Sequence, residues 1–265
     1  MSLGPLDSEA SLNLWHTYLS LGLSLPGSRF AEEPGFKACL GVQDHPICNF
    51  ALQLSLDPWV ARRLERLASE RPSFRIYLAP GDHPDHAQEL MIRSGFRESY
   101  SLQIMGCDGL PEEIDLPIQR VYTVDDRREI AEFMAAQFFG VHKPEFRSTI
   151  AEATFLAEDL ELYRLGDRGR PMAAFMLARS GRSLGLYNLC VNARFRSRGM
   201  GSRILSWCRN IAFAEKRSVV LQCDASLECW YLKNGFKSLG SIHVFSLPNH
   251  EPTDIITPGS LLSRA

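Results

Sequence analysis

The tightest constraint on this chain is a junction in its C-terminal third. Residues 184–191 have strand character. They are followed by Arg196-Ser197-Arg198-Gly199-Met200-Gly201 and then by residues 199–216, where Ile204, Leu205, Cys208, Ile211 and Ala212 recur at helical spacing. A strand that turns into a helix through two glycines leaves the first helical N–H groups without intrahelical acceptors. The helix dipole adds partial positive charge at the same point, and the result suits a phosphate. Glycine, without a Cβ, lets the backbone come close to the ligand's oxygens. Arg194, Arg196, Arg198 and Arg203 add positive charge. Two readings stand at this point: a cradle for a ligand carrying a pyrophosphate, and a plain glycine turn with solvated arginines. A Walker loop is excluded, because no Gly-Lys-Ser/Thr follows. A dinucleotide fingerprint fits poorly, because the third glycine is missing and the preceding strands read as hairpins.

Those hairpins are predicted strands at 160–165, 172–179 and 184–191, joined by Gly166-Asp167-Arg168-Gly169 and Ser180-Gly181-Arg182. A strand at 118–123 and two helices precede them. The first helix is capped by Asp125 or Asp126 and presents Ile130, Phe133, Met134, Phe138 and Phe139; the second covers 144–156. After the glycine loop come a strand at 218–222, a helix at 227–234 and a strand at 242–247. The first half reads as a helix at 8–23, strands at 36–41 and 47–56 around a turn, and a helix at 58–69. A strand at 74–78, a helix at 85–93 and a strand at 99–105 complete it.

The halves echo each other. Leu90-Met91-Ile92-Arg93-Ser94-Gly95-Phe96 aligns with Trp230-Tyr231-Leu232-Lys233-Asn234-Gly235-Phe236, 140 residues later, and the surrounding order of elements is shared. The 265 residues exceed the usual single domain, and 45% apolar content suffices for two cores. The expectation is an α+β fold, a mostly antiparallel sheet flanked by helices, present twice in tandem. The boundary is placed at 107–116, giving domains at 1–110 and 117–250 and a tail at 251–265.

A net charge of −2 gives no general nucleic-acid footprint. The seven cysteines are odd in number and scattered, which argues for reduced thiols rather than disulfides or a metal site, and no metal is expected. Ser2 to Glu9 is polar without a basic leader, and no apolar run reaches spanning length, so a cytoplasmic chain without membrane partners is expected, as monomer or homodimer.

The glycine loop, with Tyr231 four residues before Gly235-Phe236, makes residues 118–247 resemble the GNAT superfamily of acyl-CoA N-acyltransferases. The motif of that family is Arg/Gln-x-x-Gly-x-Gly/Ala between its fourth strand and third helix. The resemblance implies acetyl-CoA as acyl donor and a primary amine of a small molecule or peptide as acceptor. It implies that backbone N–H groups of Arg198, Gly199, Met200, Gly201 and Ser202, with Arg196 beside them, hold the CoA pyrophosphate. Leu189, Cys190 and Val191 would pair with the pantetheine arm, and Tyr231 would protonate the departing thiolate, as a phenol protonated at neutral pH can; the bland alternative for Tyr231 is core packing beside Trp230. Asp224 stands where family members place Asn or Ser against CoA, a departure. His142 and Glu145 are candidate bases, Asn188 a candidate acceptor-side hydrogen bonder, and Cys190 reads as packing. The first half resembles a degenerate copy: Leu56-Asp57-Pro58-Trp59-Val60-Ala61 replaces the glycine loop and Met91 replaces Tyr231. It is expected to extend the sheet or wall the acceptor pocket. A non-catalytic CoA-binding scaffold and transfer of a longer acyl chain remain as alternatives.

Overall fold

A computed structural model describes residues 5–112 and 114–248; the predicted tail lies outside the described residues. The first half runs α1 (Pro5–Ser24), β1 (Arg29–Glu33), β2 (Phe36–Leu40), β3 (Asn49–Leu52), α2 (Pro58–Glu70), β4 (Arg75–Leu78), α3 (Ala87–Arg93) and β5 (Arg97–Asp108). The second runs β6 (Ile118–Arg120), α4 (Val124–Phe139), α5 (Pro144–Leu156), β7 (Glu161–Asp167), β8 (Arg170–Ser180) and β9 (Ser183–Val191), then α6 (Met200–Ala214), β10 (Ser218–Cys223), α7 (Ala225–Lys233) and β11 (Lys237–Ser246).

All eleven strands form one sheet in the order β1-β2-β3-β4-β11-β5-β10-β9-β8-β7-β6. The pairs β3–β4 and β9–β10 are parallel and the others antiparallel. The two halves exchange their last strands. β11 pairs with β4, with Val244 opposite Tyr77, while β5 pairs with β10, with Gln103 opposite Cys223. The sheet therefore runs unbroken past residues 107–116, where the sequence places its boundary.

Alternation along the strands sorts side chains onto two faces. Ala173, Phe175 and Leu177 of β8 pack with Ile204, Leu205 and Cys208 of α6, whereas Ala174, Met176 and Ala178 pack with Ile130 and Met134 of α4. In β4, Ile76 joins Val60 and Leu64 of α2, and Tyr77 joins Leu14 and Trp15 of α1. Helices α2, α3, α6 and α7 thus cover one face, and α1, α4 and α5 the other. Strands buried on both faces read as continuous apolar runs, which is why β8 looks so hydrophobic.

Helix α1 comes from the first half yet lies on strands of the second. Asn13 is wholly buried; its Nδ2 donates to the Ala178 carbonyl at 3.0 Å, and its Oδ1 accepts from the Tyr187 hydroxyl at 2.9 Å. A buried amide deprived of such partners costs about 1–3 kcal/mol, so this contact fixes α1 on β8 and β9. Two expectations need correction. The N-cap of α4 is Thr123, whose Oγ1 accepts from the Asp126 N–H at 3.2 Å; Asp125 and Asp126 lie in the first turn, where their charge suits the dipole. Strand β1 is absent from the sequence reading because Arg29-Phe30-Ala31-Glu32-Glu33 is a charged, largely exposed edge with no apolar alternation.

Candidate functional site

The site begins where two strands part. β9 and β10 pair only at Ser183–Ser218, Leu184–Val219 and Gly185–Val220, and diverge beyond. On its other edge β9 carries a bulge: Ala174 faces Cys190 and Met176 faces Tyr187, so Asn188 and Leu189 together oppose Phe175. Asn188 takes up the extra residue with φ of 52°, a left-handed conformation Asn tolerates better than most side chains. A bulge re-aims the strand, and here it does so at the mouth of the gap. Asn188 and Leu189 line a cavity of about 250 Å³ that fills the gap, together with Cys223, Asp224, Leu227 and Tyr231.

The glycine loop leaves β9 on the same side. Asn192 starts a single 3-10 turn at Ala193–Phe195, and Ser197 (φ 59°) and Gly199 (φ 71°) reverse the chain. Gly199 is the N-cap of α6 and no side chain caps the helix. The Arg203 N–H donates to the Gly199 carbonyl at 3.1 Å, so the Met200, Gly201 and Ser202 N–H groups open the helix. The two glycines have different reasons. A Cβ on Gly199 would meet nothing within 4 Å; its positive φ is what demands glycine. A Cβ on Gly201 would stand 3.2 Å from the Trp230 ring, so this glycine lets α6 close on α7. The arginines also divide. Arg196 donates to the Val191 carbonyl at 3.0 Å and to Gln137 Oε1 at 3.3 Å, bracing the loop against β9 and α4, and Arg203 donates to the Asp115 carbonyl. Arg198 is exposed, near the Phe195 ring.

Helix α7 brings Tyr231 under the cavity. Asp224 is its N-cap: Oδ1 accepts from the Ser226 N–H at 2.9 Å, which gives the departure noted in the sequence a local structural reason. Tyr231 is 7% exposed, packed edge-on against Trp230 and Phe236. Burial first, then the Cys223 and Cys208 thiols, hold its phenol above the ordinary value of 10. Cys190 is buried, donates to the Ala174 carbonyl at 3.5 Å, and is pushed up by burial to about 12, which leaves it a thiol at neutral pH.

Of the sequence candidates, the cavity gathers Asn188, Leu189, Asp224, Tyr231 and His142 on its wall. His142 is buried and stacks on Phe146 at 4.7 Å. Glu145 is exposed at the start of α5 and is not among the lining residues, although its neighbour Phe146 is. Sequence reasoning allowed the first half to wall the pocket but named none of the residues that line the cavity from it: Tyr18, His45, Phe50, Arg75, Tyr77 and Tyr100. Tyr18 donates to Gln222 Oε1 across the halves at 2.5 Å. His45 is 4% exposed and rests on Phe146 at 4.2 Å; its Nδ1 accepts from the Ile47 N–H at 3.0 Å, and burial lowers it to about 4, so it is a neutral ring presenting Nε2–H. One signal was available: Arg75 interrupts the apolar run Phe74-Arg75-Ile76-Tyr77-Leu78, and an arginine inside a strand seldom lacks a purpose. Among the described residues no cluster of three or more His, Cys, Asp or Glu is placed to hold a metal, and no helix is long and apolar enough to cross a membrane.

No family model and no curated protein sequence matches the chain. Solved structures do. A GCN5-related N-acetyltransferase from Kribbella flavida superimposes with a TM-score of 0.65 at 14% identity, over 93% of this chain and 97% of that one. An acetyltransferase of the GNAT family from Colwellia psychrerythraea gives 0.52 at 14% identity, over 91% and 94%. The chain therefore has the GNAT N-acetyltransferase fold, and the likeness extends over both halves.

Proposed function

We propose that the chain is an acyl-CoA-dependent N-acyltransferase that moves an acyl group, most simply acetyl, directly onto a primary amine of a small molecule or peptide, at one site per chain. The observation that carries this reading is the coincidence at one end of the sheet of three features: an uncapped helix start, a bulged strand splayed from its neighbour, and a buried phenol at the floor of the gap.

Each feature supplies one requirement of the reaction. The Met200, Gly201 and Ser202 N–H groups offer fixed donors to a pyrophosphate, where the dipole favours negative charge. The parted edge of β9, at Leu189, Cys190 and Val191, is open to pair with the amide-bearing arm of the donor, and an N–H there polarises the thioester carbonyl. The amine attacks the carbonyl carbon, the C–S bond breaks, and the Tyr231 proton goes to the sulfur. The attacking nitrogen gives up its own proton to a base or water, for which His142 on the cavity wall is better placed than Glu145. The buried phenol remains protonated until the thiolate forms.

The test uses the purified full chain, acetyl-CoA and a panel of amines, with release of free CoA thiol as the readout and calorimetry for stoichiometry. Amine-dependent thiol release with one CoA per chain is expected. Tight CoA binding with no release for any amine would replace the reading with a CoA-binding scaffold.

A further inference from the structure

Rings line the cavity from two sides. From the first half, Tyr77 of β4 packs edge-on against Tyr18 of α1 at 4.9 Å and Phe50 of β3 at 5.7 Å, and all three line the cavity. From the second, Phe139 at the end of α4 and Phe146 of α5 stand 5.9 Å apart and line it as well. The hydroxyls of this wall are engaged within the protein. Tyr18 donates to Gln222 Oε1 at 2.5 Å, Tyr187 donates to Asn13 Oδ1 at 2.9 Å, and the Tyr77 and Tyr100 phenols bond to each other. Arg75 Nη1 donates to the Phe74 and Pro72 carbonyls. Asp224 is the one carboxylate among the lining residues, and it caps α7. A ligand in this space is therefore met mainly by aromatic rings and aliphatic side chains.

Burial of apolar surface drives association, and aromatic rings gain further from edge-on or offset contact with one another. Granted acyl transfer to an amine, on which this assignment rests, we infer that the acceptor is a small arylalkylamine whose ring lodges between Phe50 and Tyr77 on one side and Phe139 and Phe146 on the other while its amine reaches Asn188 and Tyr231. The sheet order sets the spacer. Tyr77 stands on β4 and Cys223 on β10, three strand spacings apart, on the order of 14 Å at the backbone. Side chains reaching in from both ends narrow that span to a chain of a few carbons between ring and amine. The cavity of about 250 Å³ is below the usual ~300–1,000 Å³ of ligand pockets, so a single ring fits better than an extended peptide. An apolar wall also favours the neutral amine over its ammonium, because a charge is costly to bury, and the neutral amine is the form that attacks.

The experiment gives the purified full chain acetyl-CoA and a graded set of amines: phenethylamine, cyclohexylethylamine, ethylamine, aminohexanoate and a lysine-bearing peptide. In the wild-type chain kcat/KM is expected to favour phenethylamine over ethylamine by about ten- to a hundredfold, as for burial of one phenyl group. It should favour phenethylamine over cyclohexylethylamine by about two- to tenfold, as for ring-on-ring contact. In Phe146→Leu, which keeps an apolar wall and removes a ring, the second ratio should fall toward one with CoA affinity unchanged. Equal use of ethylamine and phenethylamine, or of the saturated and aromatic rings, overturns the assignment and leaves acyl transfer standing. So does a preference for aminohexanoate or the peptide, or an aromatic preference that Phe146→Leu leaves intact. Thiol release with none of these amines, in a chain that also fails the wider amine panel, removes acyl transfer itself. The wild-type series decides the matter even if Phe146→Leu does not fold.

Discussion

Helices α2 and α6 occupy corresponding places in the two halves, and they begin in opposite ways. At α2, Asp57 caps the helix with its own carboxylate: Oδ1 accepts from Trp59 N–H at 2.8 Å and Val60 N–H at 2.7 Å, and Pro58 removes a further donor. At α6, Gly199 supplies no cap, and the donors of the first turn stay available. One helix start is satisfied from within, and the other has no side-chain cap, which is what the proposed cofactor site requires. The same division recurs at α3 and α7. Their C-terminal turns are superimposable in bonding, with Phe96 N–H to the Met91 carbonyl and Phe236 N–H to the Tyr231 carbonyl, both at 3.1 Å, and Gly95 and Gly235 at φ of 86° and 85°. The scaffold has been kept where it shapes the sheet, while the chemistry differs, with Met91 fully buried where Tyr231 reaches the cavity. The two halves thus differ at a helix cap and at a side chain while these turns keep the same local fold.

The comparison can be broken most severely at the glycines. Gly199→Val with Gly201→Val forces a β-branched residue into positive φ and drives a side chain into Trp230; CoA affinity measured by calorimetry is expected to fall at least a hundredfold. Unaltered affinity would make α6 no different in kind from α2. Tyr231→Phe comes next. Turnover should drop by about a hundredfold or more, as for loss of a general acid, with CoA affinity little changed. Turnover equal to wild type would reduce Tyr231 to the packing role of Met91. A pH profile sharpens the point. Burial raises the phenol above 10, so its acid form is complete throughout the neutral range and is lost only as pH rises past the ordinary tyrosine value. Turnover should show no alkaline decline attributable to this group up to pH 10, and a decline that begins near pH 8 and vanishes in Tyr231→Phe would contradict it. The smallest effect is reserved for the first half. Asp57→Ala removes an N-cap, worth about 1 kcal/mol, and should lower the melting temperature by about 2–4 °C without altering CoA affinity.

Much of the proposed donor end was legible because its physics is local. A glycine at positive φ, a helix start and a Tyr one turn before Gly-Phe are all written within a few residues of one another. The repeat was legible for the same reason, since the α3 and α7 caps depend on Gly95 and Gly235. The far wall of the cavity was not, because it is assembled from Tyr18, His45, Arg75 and Tyr100, which meet only through the sheet order. The bulge at Asn188 was equally hidden: one extra residue in a strand leaves no mark on apolar alternation until its partner strand is known. Glu145 shows the converse error, a titratable residue near the site in sequence and exposed in space.

The exchange of β5 and β11 has a consequence for how the chain is made. During synthesis the first half emerges complete in sequence but lacks β11, the neighbour of β4, which is the last of the described strands to leave the ribosome. Until then β4 presents an open edge, a surface on which nascent chains pair wrongly or aggregate. The first half thus has to wait for β11, and its folding is completed by the strand that follows Tyr231.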